Sequence, residues 1–142
     1  MILVAKTYFR FTMDGSNGYE FCQICLELGA HTIGDFEQRV VAGTLKLSLD
    51  ELLVKLERNP IIICEYQKLA HLLEQKRFSF PEYSVLPVGI ESFDGDFAMF
   101  VSINMEDYLV FKAYDRARHS IIRMKKEDYI QQVKQVLIQL NR

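Results

Sequence analysis

Val88-Gly89-Ile90-Glu91-Ser92-Phe93, then Asp94-Gly95, then Asp96-Phe97-Ala98-Met99-Phe100-Val101 is the stretch on which the fold turns. Asp-Gly between two apolar, β-forming runs is the strongest short-range hairpin signal, because both central residues of a type I′ turn need φ > 0. A second reversal is expected at Asn104-Met105-Glu106-Asp107, leading into Tyr108-Leu109-Val110-Phe111-Lys112-Ala113-Tyr114. Residues 86–114 therefore read as three consecutive antiparallel strands, with the rest of the chain covering or extending them.

Upstream, residues 2–13 alternate and carry the β-formers Val4, Thr7, Tyr8, Phe9, Phe11 and Thr12, which predicts a long strand. Asp14-Gly15-Ser16-Asn17-Gly18 is a run of turn residues, and residues 19–28 read as the returning strand. On it Cys22, Ile24, Leu26 and Leu28 share one face and Phe21, Gln23, Cys25 and Glu27 the other, so the first set is the expected core side. Residues 29–35 read as a glycine-bracketed turn, and residues 36–47 as a third strand broken at Gly43. Ser48-Leu49-Asp50-Glu51 matches a capping box, predicting a helix over 49–57 with Leu49, Leu52, Leu53 and Leu56 on one stripe, ending before Asn59-Pro60.

Ile61-Ile62-Ile63-Cys64 is compatible with a short buried strand or with the entry to a helix. Residues 65–76 read as that helix, with Tyr66, Leu69, Ala70, Leu72 and Leu73 as its apolar stripe, and residues 77–87, holding Pro81 and Pro87, as a loop. After the central strands, residues 119–124 predict one more strand. Residues 126–140 predict an amphipathic helix that buries Ile130, Val133, Val136, Leu137 and Leu140. Two blocks of strands with helices between and after them give an α+β fold: a single domain over 1–142, a mainly antiparallel sheet of about six strands, and two or three helices on one face.

The 142 residues suit one domain, and 49% hydrophobic with 25% charged residues is ordinary for a globular protein. A formal charge of −2 and a pI near 5.9 argue against nucleic acid as a partner. No apolar run reaches membrane-spanning length, and the first six residues are too short and too soon charged for a secretory signal, so the expected location is cytoplasmic.

Motifs for chemistry are sparse. Cys22-Gln23-Ile24-Cys25 has redox and zinc spacing, but residues three apart on a strand point to opposite faces, and no second pair or nearby histidine completes a site. His31, His71 and His119 are scattered, without metal-ligand spacing. The phosphate-cradling glycine patterns and the Gly-x-Ser-x-Gly elbow do not occur. The reading is therefore of a chain that is not an enzyme, with no cofactor, no metal and no catalytic residue. What gathers instead is carboxylate at the turns of the central strands: Glu91, Asp94, Asp96, Glu106, Asp107 and Asp115 are the candidate partner-binding residues. Aromatics are dense on the strands, and any tyrosine left on an uncovered face would suit a protein interface.

One further signal lies in residues 19–60: Phe21-Cys22-Gln23-Ile24-Cys25-Leu26-Glu27-Leu28-Gly29, Ile33-Gly34-Asp35-Phe36-Glu37, then Leu45-Lys46-Leu47 followed by Ser48-Leu49-Asp50-Glu51-Leu52-Leu53. This order of strand, turn and capped helix, about a third of the chain, resembles the N-terminal half of small immunity proteins of bacterial polymorphic toxin and contact-dependent growth inhibition systems. The resemblance implies stoichiometric binding to a cognate toxin, often a nuclease, with no catalytic residues to carry over. Acidic turns fit such a role, since they complement a basic nuclease and speed encounter. Two alternatives stand beside it: a small-ligand or hydrolase domain with a site on the concave sheet face and His119 or Glu91 as base, and an adaptor or chaperone for a secreted effector, marked by a large exposed apolar patch.

Overall fold

A computed structural model describes residues 6–16, 19–58, 62–74 and 83–141. Expectations for residues 2–5, 17–18, 59–61 and 75–82, which include a strand start, a turn, a helix stop and most of a loop, lie outside the described residues.

The architecture is α+β, with eight strands in two four-stranded sheets and three α-helices among the described residues. In the first sheet β1 (Thr7–Ser16) and β2 (Tyr19–Leu28) form the expected hairpin, in register from Thr7 opposite Leu28 to Ser16 opposite Tyr19. The other edge of β2 is shared by two short strands, β3 (His31–Ile33) against residues 26–28 and β4 (Val40–Val41) against residues 21–22. The glycine-bracketed stretch expected as a turn thus contributes β3. Cys22, Ile24, Leu26 and Leu28 are all buried, as the alternation requires.

Residues 36–47 are not a strand. Only Val40 and Val41 are extended, and α1 (Ala42–Arg58) begins six residues before the apparent capping box. Ala42, Leu45, Leu49, Leu52 and Leu56 continue one helical stripe through Gly43, and all five are buried. Burying each leucine contributes about 1.5–3 kcal/mol, which outweighs the ~1 kcal/mol cost of one helical glycine. Ser48, inside the helix, donates from its hydroxyl to the carbonyl of Val88 at 2.8 Å rather than capping an N-terminus.

The second sheet runs β5 (Ile62–Ile63), β6 (Phe97–Ile103), β7 (Glu106–Lys112), β8 (Ser120–Arg123), with β5 parallel to β6 and the rest antiparallel. Its hairpin turn is Asn104-Met105, both residues with positive φ (52° and 67°), the geometry of a type I′ turn. Asp94-Gly95 makes a different turn. Asp94 has φ −58°, ψ 125° and only Gly95 has positive φ, at 78°, which is type II, closed by the Asp96 amide donating to the Phe93 carbonyl at 3.1 Å. The residues before it form no strand: Glu91–Phe93 is a 3₁₀ turn, and the third strand of the meander is β8.

Two layers of core result. Ala98, Phe100, Leu109, Phe111 and Ile122 on one face of the second sheet meet the inner face of β2, α1 and α3 (Lys126–Leu140). Met99, Val101, Ile103, Tyr108 and Val110 on the opposite face pack with Leu69 of α2 (Tyr66–Glu74). The second sheet is therefore covered on both faces, which is why β6 is apolar almost throughout. Tyr66 and Ala70, expected in the α2 stripe, are exposed. Tyr129, at the centre of the main core, has Phe9 and Phe100 edge-on at 5.5 and 5.4 Å, and its buried hydroxyl donates to the Val85 carbonyl at 2.6 Å.

Residues 84–88 form a strap of irregular chain fixed by side chains. Besides Tyr129 and Ser48, Lys55 Nζ reaches the Ser84 carbonyl at 2.5 Å, and the Val85 amide donates to Ala98 at 2.8 Å. Buried backbone carbonyls need partners, and here two helices supply them.

Candidate functional site

Because Phe97 lies opposite Lys112, the turn before β6 and the turn after β7 meet at one end of the second sheet. A third segment, residues 34–38, joins them from the first sheet. The Asp35 amide donates to the Ser92 carbonyl at 2.6 Å, and the Gln38 side chain donates to Glu91 at 3.4 Å. The approach is close enough to require glycine at position 34. Its φ is +100°, and a Cβ there would stand 2.8 Å from the Phe93 ring and 3.3 Å from the Cys25 Cα.

Glu91, Asp94 and Asp115 are exposed on this end, and Asp35 and Glu37 join them. The last two were not singled out from the sequence, because nothing in it brings residues 35–37 beside 91–96. Tyr114, 71% exposed, and Val88, 59% exposed, stand on the same turns.

Asp96 is held differently. It is half-buried and accepts from the Tyr114 amide at 2.9 Å and from the Gly34 backbone, so its carboxylate ties the two sheets together. Burial raises its pKa, the two backbone donors oppose that rise, and the neighbouring Asp115 and Asp94 charges add to it.

Glu106 and Asp107 sit at the other end of the strands, roughly 20 Å away for a seven-residue strand. Glu106 accepts from Arg123 and, at 3.0 Å, from the Tyr108 hydroxyl. Burial, then that bond, raises the tyrosine pKa. Asp107 accepts from the Lys126 amide at 3.0 Å and so caps α3, whose own N-cap residue, Lys125, provides no side-chain acceptor. The six candidate acids are thus not one surface: Glu91, Asp94 and Asp115 share an exposed end, Asp96 lies beneath them, and Glu106 and Asp107 hold β7 to β8 and α3.

His119 lines a cavity of about 460 Å³ together with Asp94, Asp96, Lys112 and the strap residues. Its ring meets Phe97 edge-on at 6.2 Å, and burial followed by the Lys112 charge lowers its pKa. Glu91 does not line that cavity. His31 is exposed on β3 and His71 on α2.

Cys22 and Cys25 are both buried, and burial pushes their thiols up to about 11 and about 12, with Glu27, which accepts from Cys25 at 3.3 Å, reinforcing the second shift. Neither is a ready thiolate at neutral pH. No group of three His, Cys, Asp or Glu among the described residues is placed to hold a metal ion, and no described helix is long and apolar enough to cross a membrane.

Comparison of the chain with protein-family models, with curated proteins and with solved structures returns no match.

Proposed function

We propose that this protein is a stoichiometric binding protein of the immunity type, a cytoplasmic inhibitor that occupies a basic, nuclease-type toxin and carries out no turnover of its own. The observation that supports the reading is the convergence of three turns from two sheets on one end of the molecule. There they present Asp35, Glu37, Glu91, Asp94 and Asp115 around the exposed Tyr114 and Val88. Fixed carboxylates around an aromatic anchor are the parts from which fast and tight complexes with basic partners are made. Internal hydrogen bonds at Asp96, Asp107 and Glu106 keep these acids in a supporting role.

The test is protection. This reading predicts a toxin encoded beside the chain, which is to be co-expressed with the parent protein and with a Glu91→Gln, Asp94→Asn, Asp115→Asn variant. The variant should bind at least about tenfold more weakly, chiefly through a slower association rate, and the difference should shrink in high salt. Undiminished protection by the triple variant would remove the acidic end from the interface.

The cavity beside His119 supports a second reading, a small-ligand or hydrolase site with His119 as base, since burial and Lys112 keep that imidazole neutral and able to accept a proton. Steady product formation by the purified protein, abolished by His119→Ala, would replace the first reading with the second.

A further inference from the structure

The edge of β3 and the far end of β7 face each other across another cavity, of about 660 Å³, within the range of small-molecule sites. Its walls are charged unevenly, with Lys112, Arg116 and Arg118 against one carboxylate, Asp115. In a chain of net charge −2 this is a local reversal of sign. Three other arginines are engaged: Arg39 pairs with Asp14, Arg123 with Glu106, and Arg10 lies over the Phe36 ring at 3.9 Å. The side chains of Arg116 and Arg118 have no hydrogen-bond or ion-pair partner among the described residues, although Asp115 is adjacent in sequence.

Each guanidinium offers five donors and no acceptor, in a fork that fits a tetrahedral oxyanion. Behind them the wall mixes apolar and polar groups. Phe111 is buried, and the exposed His31 ring meets it edge-on at 5.6 Å, while Ser120 adds a hydroxyl on the same lining. A ligand suited to this cleft has one strongly anionic end and a compact, less polar body.

We infer that the cleft between β3 and the 113–119 turn binds a small phosphate-bearing molecule, with Arg116, Arg118 and Lys112 on the phosphate and Phe111 and His31 along its body. This does not depend on the toxin-binding reading. The acidic turns carry that role, and the cleft opens beside them.

The test uses the full chain, titrated with pyrophosphate, adenosine monophosphate and citrate, followed by amide chemical shifts and by calorimetry. Saturable shifts confined to residues 31–33 and 111–120 are expected, with pyrophosphate and the nucleotide bound more tightly than citrate. An Arg116→Ala, Arg118→Ala variant should lose about tenfold or more in affinity at an unchanged melting temperature, because both side chains are exposed and have no partner among the described residues. Asp115→Asn should tighten binding by removing the one opposing charge. The inference is overturned by the absence of saturable shifts up to about 10 mM pyrophosphate, weaker than any affinity worth assigning. It is equally overturned by citrate binding as well as pyrophosphate, or by the double variant binding as well as the parent.

Discussion

Met105 occupies the second central position of the β6–β7 turn at φ 67°, with 98% of its surface exposed. Its side chain therefore contributes no packing, while its backbone carries the cost of a left-handed conformation, about 1–2 kcal/mol for a residue with a Cβ. Met105→Gly removes that cost. Glycine also loosens the unfolded chain, which takes back about 0.4–1 kcal/mol. The net expectation is a gain of about 0.5–1 kcal/mol, or a melting temperature higher by about 2–3 °C for a domain of this size. Met105→Ala keeps the Cβ and should change stability by less than about 0.3 kcal/mol. Equilibrium urea unfolding read by circular dichroism measures all three proteins, and an unchanged denaturant slope shows that the difference lies in stability. If glycine leaves the midpoint where it was, or lowers it while alanine is neutral, then Met105 is not strained and the type I′ assignment of this turn is mistaken.

Tyr129→Phe leaves the Val85 carbonyl without its donor inside the core, and chemical denaturation should show a loss of about 1–3 kcal/mol. Gly34→Ala meets both the positive φ and the Phe93 ring, and should destabilise by more than about 2 kcal/mol in the same assay, with near-ultraviolet circular dichroism reporting any displacement of the aromatic core. For Asp96 the folded pKa lies above the ordinary value of 3.8, so its protonated form is favoured in the fold. The stability this supplies is complete below 3.8 and is lost as pH rises through the folded pKa. Asp96→Asn does not titrate, so the parent's stability relative to this variant should fall as pH is raised from 3.8, and urea midpoints across that interval check the sign.

Elements whose burial follows a simple period were legible in the chain. Ile130, Val133, Val136, Leu137 and Leu140 give α3 with its observed bounds, and the alternation from Cys22 to Leu28 gives the buried face of β2. Two strong local signals had other occupants. Asp94-Gly95 fits a type II turn as readily as a hairpin, since either needs a positive φ at the glycine, and of the two expected reversals only the one at Asn104-Met105 is a hairpin. Ser48-Leu49-Asp50-Glu51 imitates a capping box, but the helical stripe already runs from Ala42, and a distant carbonyl, that of Val88, takes the serine hydroxyl.

The candidate site was legible to a similar degree. Acids at the end of β6 and β7 follow from antiparallel pairing alone. The cap that Asp107 supplies to α3, and the cavity that His31 lines together with Arg116 and Arg118, depend on the packing of elements far apart in sequence, which no local pattern encodes.

The strap at 84–88 ties the outer surface to the interior. Three of its carbonyls are gripped by Lys55 and Ser48 of α1 and Tyr129 of α3, and the chain leaving it becomes the 3₁₀ turn that carries Glu91 and runs on to Asp94. Limited proteolysis ought to spare this stretch despite its lack of repeating geometry. A small rotation of either helix would also swing the charged turn without altering a single residue on it. The placement of the acidic turns is accordingly set from within, and the leucine packing under α1 reaches the rim through these three hydrogen bonds.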